Sequence, residues 1–461
     1  MKFSIIIRAY HTNRVYFRDC IDSVLGQTFS DFELIILDQN PDSSLGVVVN
    51  EFFPEDDRIT YRHIVQGRSA GFALNFALST AKGDIFLFLN QHDRMAKDAL
   101  SIISKSFDEN PQKKLIYSDF DEIENSERVR PHFLPSYNVE LLRQHDYIGN
   151  TFAMKRENFT FGDNMKFFPE YYLLLCFTER RNTVFHIAKL LFHRHFISDE
   201  DENDYYSIYE DFTSQELKKE KEKLYYSRLA EAKAIVSVEL KRRNIKADLS
   251  ADKRYSAEKS LFSFPYLSVK YDGDEYYFKN QSYTFVKDKN VRLFGRNSIK
   301  KLYGALAQPD VVMVCPKTLK DVLSVNNCGY IFDKNGIVYP ACYGELPWSL
   351  GYEDRIALRN DVSAVSLSCC LIDSKFLKKS GGIDERLSKR DRMLDLCLRA
   401  TEHGYRIVYE PDVTAFEGES DNESSEQSNV LLMEKHGDFI KNGDPFYNEN
   451  LPLGLKNYSL A

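Results

Sequence analysis

Three short apolar runs near the N-terminus constrain the fold more than any other feature. Ser4-Ile5-Ile6-Ile7, Phe32–Leu37 and Ile85–Leu89 are each long enough for one buried strand and too short for a core helix. The second run stops on Asp38 and the third on Asn90-Gln91-His92-Asp93. Between them, Phe17, Cys20, Ile21, Val24 and Leu25 recur at helical spacing, and Ala70–Thr80 predicts a further helix. Alternating strands and helices of this length imply a parallel sheet with helices on both faces. Right-handed crossovers bring the strand C-terminal ends to one side, where open sheets carry their ligands. The polar residues that stop the runs are therefore candidate site residues before any motif is considered.

The pattern continues with a short strand at Arg58–Tyr61, a helix over Ala96–Asn110 closed by Pro111, and a strand at Leu115–Ser118. An acidic turn, Asp119-Phe120-Asp121-Glu122, follows. The character changes at the acidic stretch Ser198–Asp204 and the dense Lys/Glu mixture Gln215–Lys223, read as the solvated face of a long helix over Leu217–Arg243. Strands are expected again at Tyr266–Tyr271, Tyr276–Phe278, Val291–Leu293, Asp310–Pro316 and Arg406–Tyr409, with a helix at Arg390–His403. Gly336–Tyr339 predicts one arm of a hairpin after Asp333-Lys334-Asn335. These shifts divide the chain into residues 1–200, a helical linker over 201–258, and residues 259–461.

Composition narrows the function classes. At 461 residues, 43% hydrophobic and 28% charged, the chain is globular and has room for two or three domains. A net charge of -8 argues against a nucleic-acid partner, which would call for a basic balance or stripe. The eight cysteines are scattered, with no CxxC or Cys/His zinc spacing, and predict buried thiols in a reducing compartment. No leader-like apolar segment opens the chain and no run of about 20 apolar residues occurs. A cytoplasmic protein is expected, with peripheral association at the inner face of a membrane left open.

Read as motifs, residues 3–123 resemble the family-2 glycosyltransferases, whose catalytic domain has the GT-A fold. Such enzymes open on a strand of the form S-I-I-I-P-T-Y-N-R, and here Ser4-Ile5-Ile6-Ile7-Arg8-Ala9-Tyr10-His11 stands. The pattern C-I-x-S-V-L-x-Q-T-Y is matched by Cys20–Phe29, F-E-L-I-I-V-D-D by Phe32–Gln39, and S-A-A-R-N-x-A-L-x-x-A-x-G by Ser69–Gly83. Leu115–Ile123, Tyr147–Asn150 and Leu190–His193 resemble the polysaccharide-synthesis branch of the family. Members of that branch often carry two GT-A units in tandem. Here Asn360–Val365, Gly381–Glu385, Asp395–Arg399 and Gly404–Pro411 look like the second half of another unit, whose front half, roughly 260–316, matches poorly. The implied fold is a mixed, mostly parallel GT-A sheet followed by a degenerate GT-A-like α/β unit.

The resemblance implies a nucleotide-sugar donor, most simply a UDP-sugar, and a glycan, lipid-linked or glycoprotein acceptor. Transfer needs positive charge at the leaving diphosphate and a base for the acceptor hydroxyl. The resemblance places donor contacts at Ala9, Tyr10, Asp38, Arg68, Asn90, Gln91, Asp119 and Asp121. It places a divalent metal, Mn or Mg, at His92, Asp93 and His193, and the catalytic acid at Glu170. The metal motif is altered, because Asn90-Gln91-His92 stands where the family has D-x-D, so two anionic ligands are lost.

Each residue also has a bland reading. Asp38 is a turn former beside Asn40-Pro41-Asp42, Glu170 a favourable acid at a helix start, and His193 a satisfied core residue. Asp119 and Asp121 fit an exposed acidic turn, and residues 90–93 a polar strand-end loop. In the second unit Met393 stands at the base position and Glu417 at the late histidine, and no D-x-D counterpart occurs between 310 and 330. The alternative to an enzyme is a non-catalytic glycosyltransferase-like subunit that binds a sugar or a partner glycosyltransferase.

Overall fold

The computed structural model describes residues 2–10, 12–41, 44–54, 56–64, 68–195, 214–255, 264–272, 282–417, 425–454 and 458. The expected elements at Ser198–Asp204 and Tyr276–Phe278 lie outside the described residues. Contacts divide the chain into two units. The first comprises Met1–Leu134, His145–Glu239 and Ala251–Leu267; the second comprises Pro135–Gln144, Leu240–Ser250 and Ser268–Ala461. Residues 135–144 pack within the second unit and much of the long helix packs within the first.

The first unit begins β1 (Phe3–Ala9), α1 (Arg14–Leu25), β2 (Phe32–Asp38), α2 (Ser44–Phe52), β3 (Ile59–His63), α3 (Ala70–Thr80) and β4 (Ile85–Leu89). These four strands are parallel and lie in the order β3-β2-β1-β4. Ile7 pairs with Ile36 on one side and with Leu89 on the other. Ile5, Ile6 and Ile7 are buried because both sheet faces are covered, which is why the run is continuous and not alternating. Asn13 starts α1 by accepting hydrogen bonds from the amides of Val15 and Tyr16. Gly83 allows β4 to enter beside β1, since a Cβ there would sit 2.5 Å from the Ser4 amide nitrogen.

The unit continues with β5 (Asp93–Met95), α4 (Ala99–Glu109), β6 (Leu115–Glu124) and β7 (Glu127–His132). Helix α5 (Val139–Gln144) belongs to the second unit, and β8 (Phe152–Lys155), α6 (Pro169–Leu175), β9 (Val184–His195) and α7 (Ser214–Arg242) follow. The full sheet order is β3-β2-β1-β4-β8-β6-β9-β5, with β7 on β6. The expected helix over Ala96–Asn110 starts three residues later than read, behind a short edge strand, β5, that pairs antiparallel with β9. The helix expected to start at Glu170 is α6, which stops at Leu175 and is followed by a separate 3-10 segment, Thr178–Thr183. In α7 the residues of the charge run described in side-chain detail are mostly exposed, as expected, but Leu229, Ala232, Ile235 and Val236 form a buried stripe at helical spacing.

Strands β10 (Ala247–Ala251) and β11 (Leu267–Tyr271) pair as a ribbon. The second unit then holds β12 (Tyr283–Lys287), β13 (Arg292–Phe294), α8 (Ser298–Leu306), β14 (Val311–Asp321) and β15 (Ser324–Asn327). The expected hairpin is present as β16 (Tyr330–Phe332) and β17 (Val338–Pro340). Next come β18 (Asn360–Asp361), β19 (Cys369–Asp373), α9 (Ser374–Lys379), α10 (Lys389–Glu402), β20 (Arg406–Phe416) and α11 (Glu426–Ile440).

The second sheet has the order β12-β19-β14-β20-β13, with β15 on β14. Apart from the two-residue β18, which pairs with β20, this repeats β4-β8-β6-β9-β5 with β7 on β6, and every pairing direction agrees. The β14–β20 pair is parallel like β6–β9, while β12–β19, β14–β19 and β13–β20 are antiparallel like β4–β8, β6–β8 and β5–β9. Among the described residues the second sheet has no counterpart of β1, β2 or β3.

The second unit is organised around buried charge. Arg406 donates to Glu140 at 2.8 Å, Asp361 at 2.8 Å, Gln308 at 2.7 Å and Asp310 at 2.9 Å. Arg143 adds bonds to Glu140 at 3.1 Å and Gln308 at 2.6 Å. Burial pushes the Glu140 carboxyl up, but Arg143, Arg406 and Arg359 outweigh it and hold it at about 2. Arg406→Leu should lower unfolding stability by about 3–5 kcal/mol in urea titration, because it strands buried carboxylates. The depressed Glu140 pKa also gives stability that is complete above pH ~4.3 and is lost as pH falls towards 2. Acid titration of Glu140→Gln should show a shallower loss over that window than the wild type.

Candidate active site

The chain runs β1, β2, β3 towards one edge and then returns to place β4 on the opposite side of β1. The crevice at the β1 and β4 ends is thus the point where the strand order reverses, the place where open α/β sheets bind ligands. Arg8-Ala9-Tyr10 at the end of β1 and Asn90-Gln91-His92 just after β4 stand at this point. Ala9 is buried and its carbonyl accepts the Gln39 amide at 2.8 Å. Tyr10 is exposed, and its carbonyl accepts Gln91 Nε2 at 3.2 Å. Gln39 Nε2 donates to the Arg68 carbonyl at 3.1 Å, and the Arg68 guanidinium lies over the Phe72 ring at 4.7 Å. Gln39 and the Gln91 side chain thus hold the backbone carbonyls of Ala9, Arg68 and Tyr10 along one rim.

Asp38 ends β2, fully buried. Its Oδ1 accepts the Asn40 amide at 2.9 Å and Asn40 Nδ2 at 2.6 Å; its Oδ2 accepts the Tyr61 hydroxyl at 2.5 Å. It holds the turn after β2 and clamps β3 to it, as the turn-former reading expects.

The altered metal motif is spent on local structure. Asn90 Oδ1 accepts the His92 amide at 3.0 Å. His92 Nε2 accepts the Asn13 amide at 3.3 Å, so its lone pair is directed into the start of α1. Asp93 is buried, accepts the Thr151 hydroxyl at 2.7 Å and lies 3.7 Å from Arg194 Nε. Burial raises its carboxyl against the pull of Arg194, Thr151 and His193. In the β5–β9 register Asp93 faces Arg194 and Arg94 faces His193, so strand alternation sends Asp93 and His193 to opposite faces. The three expected metal ligands, His92, Asp93 and His193, are therefore not brought together. Among the described residues no group of three or more His, Cys, Asp or Glu side chains is disposed to share an ion. The donors present do not fit the implied Mn or Mg.

His193 pairs with Asp121 instead, Nδ1 to Oδ1 at 2.6 Å across the parallel β6–β9 register, and Arg128 Nε reaches Asp121 Oδ2 at 2.7 Å. Asp119 is fully buried, accepting the Leu134 amide at 2.9 Å and bonded to His186 Nε2 at 2.7 Å. These acids are not an exposed turn: they lie inside the long strand β6 and tie it to its neighbours.

Glu170 lies in the first turn of α6, 4% exposed. Its carboxylate does not cap that helix. It faces Arg8, which donates from Nε to Oε1 and from Nη2 to Oε2, both at 3.1 Å. The loop amides before the helix are satisfied from α7: Glu231 accepts those of Lys166 at 2.8 Å and of Phe167 and Phe168 at 2.9 Å. Glu239, also on α7, accepts the Thr178 hydroxyl at 2.9 Å. The long helix thus fixes the entry and exit of the segment that carries Glu170.

Arg8, Asp146, Arg194 and Glu231 were not singled out by sequence reasoning. For Arg8 a signal existed, since it stands where the family strand has proline. Asp146 offered none. It accepts the Gly149 amide at 3.0 Å, and its carboxyl rises to about 7. Desolvation drives that rise and the charge of Glu170 adds to it, while the Gly149 bond and Arg194 oppose it.

A parallel β3-β2-β1-β4 half joined to an antiparallel β8 and a parallel β6–β9 pair is a GT-A fold. Residues 4–167 match the family Glycosyl transferase family 2, so the first unit carries a family-2 glycosyl transferase domain. Relatives include protein y4gI of Sinorhizobium fredii, 22% identical over 99% of this chain and 58% of its own length. The O-antigen biosynthesis protein RfbC of Myxococcus xanthus is 24% identical over 41% of this chain and 15% of its own. The poly(ribitol-phosphate) beta-glucosyltransferase of Bacillus spizizenii is 30% identical over 22% of this chain and 16% of its own. The chain thus spans 58% or less of these relatives. Among solved structures, S. aureus TarS in complex with UDP has a TM-score of 0.37 and 18% identity, covering 52% of this chain and 65% of that one.

An acid whose folded pKa lies above its unfolded value costs stability as pH rises between the two. Asp146→Asn keeps an acceptor for the Gly149 amide and removes the titration. Its melting temperature should exceed that of the wild type by a margin that grows from pH ~4 to about 7 and then levels off. A constant margin across that range would contradict the raised pKa.

Proposed function

We propose that the first unit is an inverting glycosyltransferase acting in surface polysaccharide or glycoconjugate synthesis. It takes a nucleotide-sugar, most simply a UDP-sugar, and a saccharide, lipid-linked or protein-linked acceptor. The observation that carries the reading is Glu170, a buried carboxylate on a helix braced by Glu231 and held by Arg8 at the strand-order reversal. The similarity to an O-antigen biosynthesis protein of Myxococcus and a poly(ribitol-phosphate) glucosyltransferase of Bacillus supports the polysaccharide setting.

In this reading the nucleotide lies across the β1 and β4 ends, with Ala9, Tyr10, Arg68, Asn90 and Gln91 forming its rim and Asp38 contributing by holding the turn after β2. Asp119 and Asp121 shape the sugar end through the strand they brace. The acceptor hydroxyl attacks the anomeric carbon opposite the leaving diphosphate. The carbon–oxygen bond to the diphosphate breaks as the new glycosidic bond forms, and the hydroxyl proton passes to the Glu170 carboxylate. Glu reaches one methylene further than the family's Asp.

The site lies in the first unit alone. In the second, Met393 is buried and cannot take a proton, and Glu417 is bonded to Asn326 at 3.0 Å and Asn327 at 3.3 Å. No helix among the described residues is long and apolar enough to cross a membrane. We assign the protein to the cytoplasm, working at the inner membrane face where lipid-linked acceptors are built. The competing reading, a subunit that binds sugar or a partner glycosyltransferase without catalysis, draws on the same Arg8–Glu170 pair, which occupies the base.

Nucleoside-diphosphate release from a panel of sugar donors separates the two. The wild type should release nucleoside diphosphate with one donor, and Glu170→Gln should lower that rate by ~100- to 10,000-fold. Release unaffected by the substitution would remove Glu170 as the base. No release with any donor and acceptor, with partner binding retained, would favour the non-catalytic subunit.

A further inference from the structure

Glycosyl transfer leaves a diphosphate whose developing charge must be met by a cation, and the ligands expected for a metal are committed elsewhere. His92 Nε2 accepts the Asn13 amide, Asp93 is held by Thr151 and faces Arg194, and His193 is held by Asp121. One fixed cation does stand at the reversal point. Arg8 follows Ile7, which is paired with Leu89, so Arg8 sits beside Asn90 at the mouth of the crevice. Its side chain is 14% exposed, and its Nη2 also donates to the Phe167 carbonyl at 3.4 Å.

Resting on the glycosyltransferase reading, we propose that Arg8 replaces the metal. Its guanidinium exchanges the Glu170 carboxylate for the diphosphate of the donor, so donor binding is metal-independent and also releases the base. A planar guanidinium suits both partners, because carboxylate and phosphate each offer two oxygens to the same fork. Without donor, Arg8 neutralises a buried carboxylate that would otherwise be costly. With donor, the diphosphate competes for the fork, and Glu170 becomes free to accept the acceptor proton only when a sugar is in place. As the bond from the anomeric carbon to the diphosphate breaks, its electron pair goes to the leaving oxygen, where Arg8 stabilises the charge.

The exchange predicts an unusual sign. Glu170 is a competitor for Arg8, so Glu170→Gln should tighten nucleoside-diphosphate binding even as it removes catalysis. Isothermal titration of the full chain with UDP, and with GDP, ADP and dTDP as further probes, tests this in EDTA and in Mn²⁺. Wild-type affinity should be the same in both buffers. Glu170→Gln should bind several-fold more tightly, and Arg8→Gln should bind about 10- to 100-fold more weakly. The Arg8→Gln/Glu170→Gln double variant leaves no unpaired buried charge and should still bind weakly, which separates loss of the cation from misfolding.

Wild-type binding that needs Mn²⁺, or a double variant that binds as tightly as the wild type, would overturn the role of Arg8 while leaving the transferase reading standing. An unchanged affinity in Glu170→Gln would overturn the exchange. No binding of any nucleoside diphosphate by the wild type would overturn this proposal together with the reading beneath it.

Discussion

The order of four parallel strands governs this protein. Because β4 returns to lie against β1 on the side away from β2, the two connections diverge and leave a crevice above that pair. Nothing about the crevice requires a special residue; it follows from continuous apolar strands that must be covered on both faces. What the chain then places at those strand ends decides the chemistry. The second sheet shows the converse. Apart from the added β18 it reproduces the β4–β9 arrangement, but among the described residues it lacks counterparts of the three strands that would make a reversal. Without that feature its polar residues serve packing: Glu417 accepts from Asn326 and Asn327, and Arg406 gathers Glu140, Asp310 and Asp361 into a buried ionic core.

In the first unit charge is arranged in adjacent pairs. Arg8 holds Glu170, Arg194 lies against Asp93, Arg128 and His193 share Asp121, and His186 holds Asp119. Each acid that the family pattern would offer to a metal or a sugar is instead balanced by a base of this chain. Such pairing lets carboxylates stay buried, and it changes what a ligand must do: an incoming anion has to compete for a guanidinium already engaged. That is a more demanding arrangement than a carboxylate cluster waiting for a metal, and it makes Arg8 the most consequential departure from the family strand.

Much of the fold was legible in the sequence. Ser4–Ile7, Phe32–Leu37 and Ile85–Leu89 could be read as strands because burial on both faces leaves an unbroken apolar run. Three short elements were not legible. Strand β5 has only Asp93, Arg94 and Met95, and its pairing with β9 comes from nearly a hundred residues away. Strand β7 is mostly polar, and β8 is four residues long. The candidate site residues could be named from the sequence, but their partners could not. Asp38, Asp119, Asp121, Glu170 and His193 could be named from motif positions, whereas the Arg8–Glu170 pair spans 162 positions and leaves no periodic trace. The contribution of α7 was hidden for the same reason. Its composition describes the exposed face, while Glu231 and Glu239 act on the other.

The central claim is that a nucleotide occupies the crevice between the ends of β1 and β4. A crystal structure of the chain grown with UDP and without added metal tests it most directly. The account predicts density for the nucleotide over Ala9, Tyr10 and Asn90, with the Arg8 guanidinium turned from Glu170 onto the diphosphate. A crevice filled by side chains, or UDP held at another place while Arg8 remains on Glu170, would contradict it.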